Sequence, residues 1–74
     1  MPVSFEYKWK IYHGEAVPVP QACNDGGCSD LDVSLNDRHI GIIKRRTRNW
    51  KIDGVKDQKF VDAIGTEIEK WYAQ

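Results

Sequence analysis

From Val3 to Tyr12 apolar and polar residues alternate without a break. Val3, Phe5, Tyr7, Trp9 and Ile11 point one way, and Ser4, Glu6, Lys8, Lys10 and Tyr12 the other. Successive side chains of an extended chain leave opposite faces, so a period of two predicts one half-buried strand over 3–12. Further along, Val33 and Leu35 alternate with Ser34, Asn36-Asp37-Arg38 suits a tight turn, and Ile40 and Ile42 resume the pattern. Strands are expected at about 32–35 and 39–45. Asn49-Trp50-Lys51-Ile52 reads as a further short strand over 49–52, ending at Asp53-Gly54.

The period then lengthens. Phe60, Val61, Ile64, Ile68, Trp71 and Tyr72 recur three and four apart behind Asp57, a suitable N-cap, which predicts a helix over about 57–73. Asp62, Glu67, Glu69 and Lys70 fall on its other face. Gly65 costs about 1 kcal/mol relative to Ala in a helix interior, so it is read as a point where the helix comes close to the sheet. Residues 13–31 read as irregular, because Pro18 and Pro20 bracket Val19 and Gly26-Gly27 interrupts the run between the cysteines. A loop of that length in a small domain is a candidate contact surface.

These elements make one α+β domain over 1–74, an antiparallel three- to four-stranded β-meander with one C-terminal α-helix packed on one face. The face toward the helix would carry Val3, Phe5, Tyr7, Trp9, Ile11, Val33, Leu35, Ile40, Ile42, Trp50 and Ile52. Trp9 and Trp71 read as plain core, and Trp50 as core because it shares a face with Ile52. The opposite face would stay in water and show Glu6, Lys8, Lys10, Tyr12, Ile43, Arg45, Asn49 and Lys51, a mainly cationic set.

Length and charge sharpen this picture. The 74 residues allow one domain, and one of this size buries only about 60% of the surface of its unfolded chain. Eleven Lys and Arg balance eleven Asp and Glu, so net charge selects no partner. Its distribution does more. Between Ile11 and Asp37 there is no Lys or Arg against Glu15, Asp25, Asp30, Asp32 and Asp37, whereas Lys44, Arg45, Arg46, Arg48 and Lys51 fall within eight residues that hold no acid. No apolar run approaches the about 20 residues of a membrane span, and the first residues lack the cationic and apolar regions of a secretory signal. The expected compartment is the cytoplasm, with no membrane partner. There Cys23 and Cys28 would stay reduced.

Two binding chemistries follow. Lys8, Lys10, Lys44, Arg45, Arg46, Arg48 and Lys51 would neutralise the phosphates of a nucleic acid, with Asn49 near base edges, because such binding draws on clustered cations. The alternative is a protein-interaction module, of a regulatory, inhibitor or adaptor kind, that uses Asp25, Asp30 and Asp32 in the acidic 23–37 stretch, a strand edge or a dimer interface. A cationic hairpin tip is also what an ordinary solvated turn looks like, here facing an acidic loop.

Metal and catalytic chemistry find less to work with. Cys23 and Cys28 are four residues apart, and His13 and His39 would have to complete a Cys2His2 set that lacks a second close ligand pair; a local disulfide is the other use of the two sulfurs. Asn24, Asp25, Asp30 and Asp32 do not follow the ligand order of a calcium loop. The chain has no phosphate loop, serine elbow or carboxylate pair in apolar surroundings. No cofactor, metal or catalytic residue is expected.

Overall fold

The computed structural model describes residues 1–24, 27–46 and 49–72. Its first departure from the alternation lies at Lys8-Trp9. What reads as one strand is a hairpin, β1 (Pro2–Tyr7) and β2 (Lys10–Pro18), in which Tyr7 pairs with Lys10. Lys8 and Trp9 have φ of 49° and 67°, the left-handed pair that a two-residue hairpin turn requires to match the twist of its strands. Neither is a residue that favours that backbone, which is why the turn leaves no mark in the sequence.

β2 also runs through 13–18, a segment expected to be irregular. A single 3-10 turn (Pro20–Ala22) and a two-residue ladder, β3 (Cys23–Asn24) with β4 (Gly27–Cys28), follow it. Then come β5 (Asp30–Leu35), β6 (Arg38–Arg45), β7 (Trp50–Ile52) and the helix α1 (Gln58–Tyr72). The main sheet has the order β1-β2-β5-β6-β7 with every neighbour antiparallel. The α+β class and the C-terminal helix are as the periodicities predict. The sheet has five strands rather than three to four, because β1 and β2 share the first run.

Two local features exchange the inner and outer faces. After the Lys8-Trp9 turn the inward positions pass from odd to even numbers, so Tyr12, Gly14 and Ala16 join Val3, Phe5 and Tyr7. In β6, Val33 pairs with Gly41 but Ser34 pairs with His39, which leaves Ile40 as the extra residue of a β-bulge. Gly41 there has φ of 142°, and a Cβ on it would meet Ile52 Cγ2 at 3.0 Å. Beyond the bulge Ile43 is fully buried and Ile42 is 38% exposed, the reverse of the alternation's expectation.

The core comprises Val3, Ala16, Leu31, Val33, Leu35, Ile43, Trp50 and Ile52 of the sheet and Val61, Ile64 and Ile68 of the helix. The helix packs on β1 and on β7, the two edges. In a flat sheet those edges would stand about 19 Å apart, whereas a helix is only about 10–12 Å wide, so the sheet curls around it. Asp57 accepts the Phe60 N–H at 3.3 Å and so caps the helix, as its position suggests. Gly65 does mark a close approach, since a Cβ there would fall 2.1 Å from Trp50 Cδ1. No helix among the described residues is long and apolar enough to cross a membrane.

Candidate functional site

The cationic run lies at one end of the sheet. β6 delivers Lys44 and Arg45, and its antiparallel partner β7 brings back Trp50 and Lys51; the Arg46 N–H donates to the Asn49 carbonyl at 2.8 Å. Arg45, Arg46, Asn49 and Lys51 are exposed, and Arg48 lies outside the described residues. Arg45 pairs with Trp50 across the strands, and its guanidinium sits 5.8 Å from the centre of the indole. Lys51 Nζ donates to Gln58 Oε1 at 2.8 Å, a neutral partner that leaves its charge in place. Lys44 is half-buried and ion-paired to Asp53 at 3.6 Å. Among the described residues Arg45, Arg46 and Lys51 form no ion pair.

Lys8 and Lys10 do not join this group. The Asn36 N–H donates to the His13 carbonyl, so the β5–β6 turn lies beside the β1–β2 end. The basic turn lies at the far end of β6, eight residues and roughly 25 Å away. The cationic sheet face therefore does not form. Lys8 is in a turn, Lys10 and Tyr12 belong to the inner parity, Ile43 is core, and Arg45 shares the parity of Trp50. The outer face mixes Glu6, Glu15, Asp30 and Asp32 with His13, His39, Lys44 and Lys51.

The acidic candidates separate as well. Asp25 lies outside the described residues. Asp30 is the register partner of Lys44, which sets a carboxylate against the basic strand. Asp32 Oδ1 lies 2.5 Å from His39 Nε2, and His13 Nδ1 is hydrogen-bonded to Ser4 Oγ at 3.0 Å. Both imidazoles thus have local partners, and no group of three or more metal-type side chains gathers among the described residues. Cys23 is disulfide-bonded, a correction to the reduced thiols expected of the cytoplasm. Backbone pairing sets Cys23 opposite Cys28 in a segment that reads as irregular, where a local disulfide is one of the expected uses of the two sulfurs.

Two tryptophans also depart from expectation. Trp50 is buried and donates its Nε1–H to Glu69 Oε1 at 2.9 Å, as a core residue would. Trp71 is only partly covered, its Nε1–H donating to the Pro2 carbonyl at 2.8 Å. Trp9 is 95% exposed. Placed in the turn rather than mid-strand, it meets no core.

The β1–β2 end holds a site that the alternation concealed. Tyr7, Lys8, Lys10, Tyr12, Asp57 and Phe60 line a cleft of about 330 Å³. Phe5 stacks on Tyr12 at 5.3 Å between ring centres, and Phe60 meets Tyr12 at 5.2 Å and Tyr7 at 5.5 Å. The Tyr7 hydroxyl reaches both Asp57 oxygens, at 2.9 and 2.8 Å, and Lys8 Nζ lies 3.6 Å from the same carboxylate. That hydroxyl, then the Phe60 N–H and Lys8, hold the Asp57 carboxyl below the usual carboxylate range against the opposing effect of its partial burial. Partial burial and the bond to Asp57 push the Tyr7 phenol up. The one legible sign of the site is the interleaving of aromatic and basic residues in Tyr7-Lys8-Trp9-Lys10-Ile11-Tyr12.

No protein-family model matches this chain, and neither a curated protein nor a solved structure is significantly similar to it.

Proposed function

We propose that the chain is a small non-catalytic binding module that holds nucleic acid through the β6–β7 hairpin. The observation that supports this reading is the exposure of Arg45, Arg46, Asn49 and Lys51 at one strand end, Arg45 on the inner parity and Lys51 on the outer face, with three cations that no carboxylate among the described residues answers. Guanidinium groups take phosphate oxygens in a bidentate fork, and Lys51 adds a point charge. Asn49 supplies the donor and acceptor needed at a base edge. Lys8 and Lys10 drop out of this footprint, and Lys44 contributes less, because Asp53 and the neighbouring Asp30 offset it.

Such a footprint is small. About three phosphate contacts give a slope of about −3 in log affinity against log salt, and the binding should be non-specific, with Kd about 10⁻⁴–10⁻⁶ M. The test is fluorescence anisotropy of a labelled oligonucleotide, single- and double-stranded, between about 50 and about 200 mM salt. Arg45→Ala with Arg46→Ala should flatten the slope by about 2 and cost at least tenfold in affinity at low salt. Unchanged binding in that variant, with an unchanged melting curve, would refute the proposal.

A second reading keeps one observation in its favour. On the outer face Val17 and Ile42 are exposed and are the two register partners of Asp32, an apolar and acidic row that suits a protein partner better than a phosphate. Asp30→Asn with Asp32→Asn would weaken such a partner and leave oligonucleotide binding unchanged or tighter.

A further inference from the structure

The β1–β2 end of the sheet carries chemistry that the hairpin at the other end does not need. Trp9 is held with φ of 67° at a turn tip, 95% exposed. A bulky side chain in left-handed backbone is unfavourable by about 1–2 kcal/mol, and an indole in water contributes nothing to the core. Trp9 does not itself line the aromatic cleft, but its two neighbours in the chain, Lys8 and Lys10, do. Their ammonium groups lie 5.5 Å from the Tyr7 ring centre and 5.3 Å from the Tyr12 ring centre.

Charge decides what such a cleft takes. Asp57 is the single carboxylate in its lining, and the Tyr7 hydroxyl, the Phe60 N–H and Lys8 already engage it. Lys10 forms no ion pair among the described residues, and the Tyr12 hydroxyl makes no hydrogen bond among them. A cation over a ring but with no carboxylate partner, and a hydroxyl with no hydrogen bond among the described residues, complement an anion attached to a planar ring. A cation alone would find only a carboxylate already engaged by Tyr7, Phe60 and Lys8, and an apolar ligand would leave Lys10 unanswered. The cleft's volume is near the lower end of the range for small-molecule sites, about 300–1,000 Å³.

We propose that this cleft and Trp9 form a second binding site, distinct from the basic hairpin, for a nucleotide: a base stacked on the aromatic side chains, with its phosphate on Lys10 and the Tyr12 hydroxyl. The nucleotide is either free or part of a single strand. Stacking is indifferent to base identity, because every base has a π-face, so the site selects for ring plus phosphate rather than for sequence.

The test uses the whole chain and four probes, AMP, adenosine, inorganic phosphate and a six-residue oligoadenylate, read by calorimetry and by tryptophan fluorescence. AMP should bind with Kd of about 0.1–1 mM, and adenosine and phosphate at least about tenfold more weakly. Trp9→Ala should cost at least about fivefold in AMP affinity, and most of the fluorescence change should vanish with it. Lys10→Gln should lower AMP affinity toward that of adenosine. Both side chains are exposed, so melting curves should not move.

Repeating the AMP titration in Arg45→Ala with Arg46→Ala separates the two sites: retained binding there supports the cleft whatever becomes of the basic hairpin. In that variant, tighter oligoadenylate than AMP assigns the site to a strand, and the reverse to a free nucleotide. Equal affinities for AMP and adenosine, no effect of Trp9→Ala, or no AMP binding tighter than about 10 mM would overturn the proposal.

Discussion

Two hairpins of this molecule turn on two residues with the same backbone and opposite chemistry. Asn36 and Asp37 have φ of 50° and 64°, and Lys8 and Trp9 have 49° and 67°. Asn and Asp tolerate left-handed backbone, and Asn36 does more: its Oδ1 accepts the His13 N–H at 3.0 Å and its Nδ2 donates to the Ile11 carbonyl at 3.3 Å. That turn stabilises itself and ties β5–β6 to β2. At Lys8-Trp9 the same geometry is imposed from outside, by the β1–β2 ladder, by the Lys8–Asp57 ion pair and by the Tyr7–Asp57 hydrogen bonds. A turn that its own residues disfavour persists where surrounding structure over-determines it, and such places are enriched in binding sites.

Parting the two hairpins has the largest effect. Gly14 pairs with Leu35 where β2 meets β5, and a Cβ on it would fall 1.8 Å from the Ser34 carbonyl oxygen. Gly14→Ala should therefore cost about 4 kcal/mol or more, or abolish folding, as urea denaturation will report. Removing only the self-supporting turn is milder: Asn36→Ala loses two hydrogen bonds and the residue's tolerance of positive φ, about 2 kcal/mol by the same measurement.

The imposed turn should respond in the opposite direction. Lys8→Asn with Trp9→Gly places a suitable pair in the β1–β2 turn and should stabilise by about 1 kcal/mol, raising Tm by about 4–8 °C. A fall in Tm would mean that Lys8 and Trp9 contribute contacts worth more than their backbone strain. The same variant should lose the nucleotide proposed for the cleft, so stability and binding would move apart.

The smallest effect is electrostatic. Asp57 titrates below its usual range in the folded chain, so it contributes stability above the unfolded carboxylate's pKa that disappears as pH falls through the lowered folded value. Tyr7 titrates above its usual range, so its contribution is complete below the unfolded phenol's pKa and disappears as pH rises through the raised value. Tyr7→Phe should flatten both limbs of a Tm-against-pH curve. If the acid limb keeps its slope, another carboxylate is responsible for it.

Much of this architecture was legible. The shift from period two to spacings of three and four places the helix, Asp57 begins it, Gly65 marks where Trp50 presses against it, and Asn36-Asp37 announces a turn. The candidate sites were legible only in part. Arg45, Arg46, Asn49 and Lys51 stay at one strand end because they are close in sequence and β6 and β7 pair there. The alternation puts Lys8 and Lys10 on the surface of the basic run and the fold does not, because alternation reports parity relative to the preceding residue and not absolute side. One unannounced turn and one extra residue at Ile40 each reverse it.

The division has a physical cause. Periodicity, capping and turn preference act over a few residues and can be read directly from the chain: an antiparallel layer with one amphipathic helix on one face, and a run of cations left at a strand end. Where Trp9 stands, which isoleucine of Ile42-Ile43 is buried, and that Tyr7, Tyr12 and Phe60 meet above Asp57 depend on long-range pairing. Pairing energy is summed over the whole β1–β2 and β5–β6 ladders. A sum of that size overrides the preference of any two residues, and so the packed sheet, rather than its local sequence, assigns the sides.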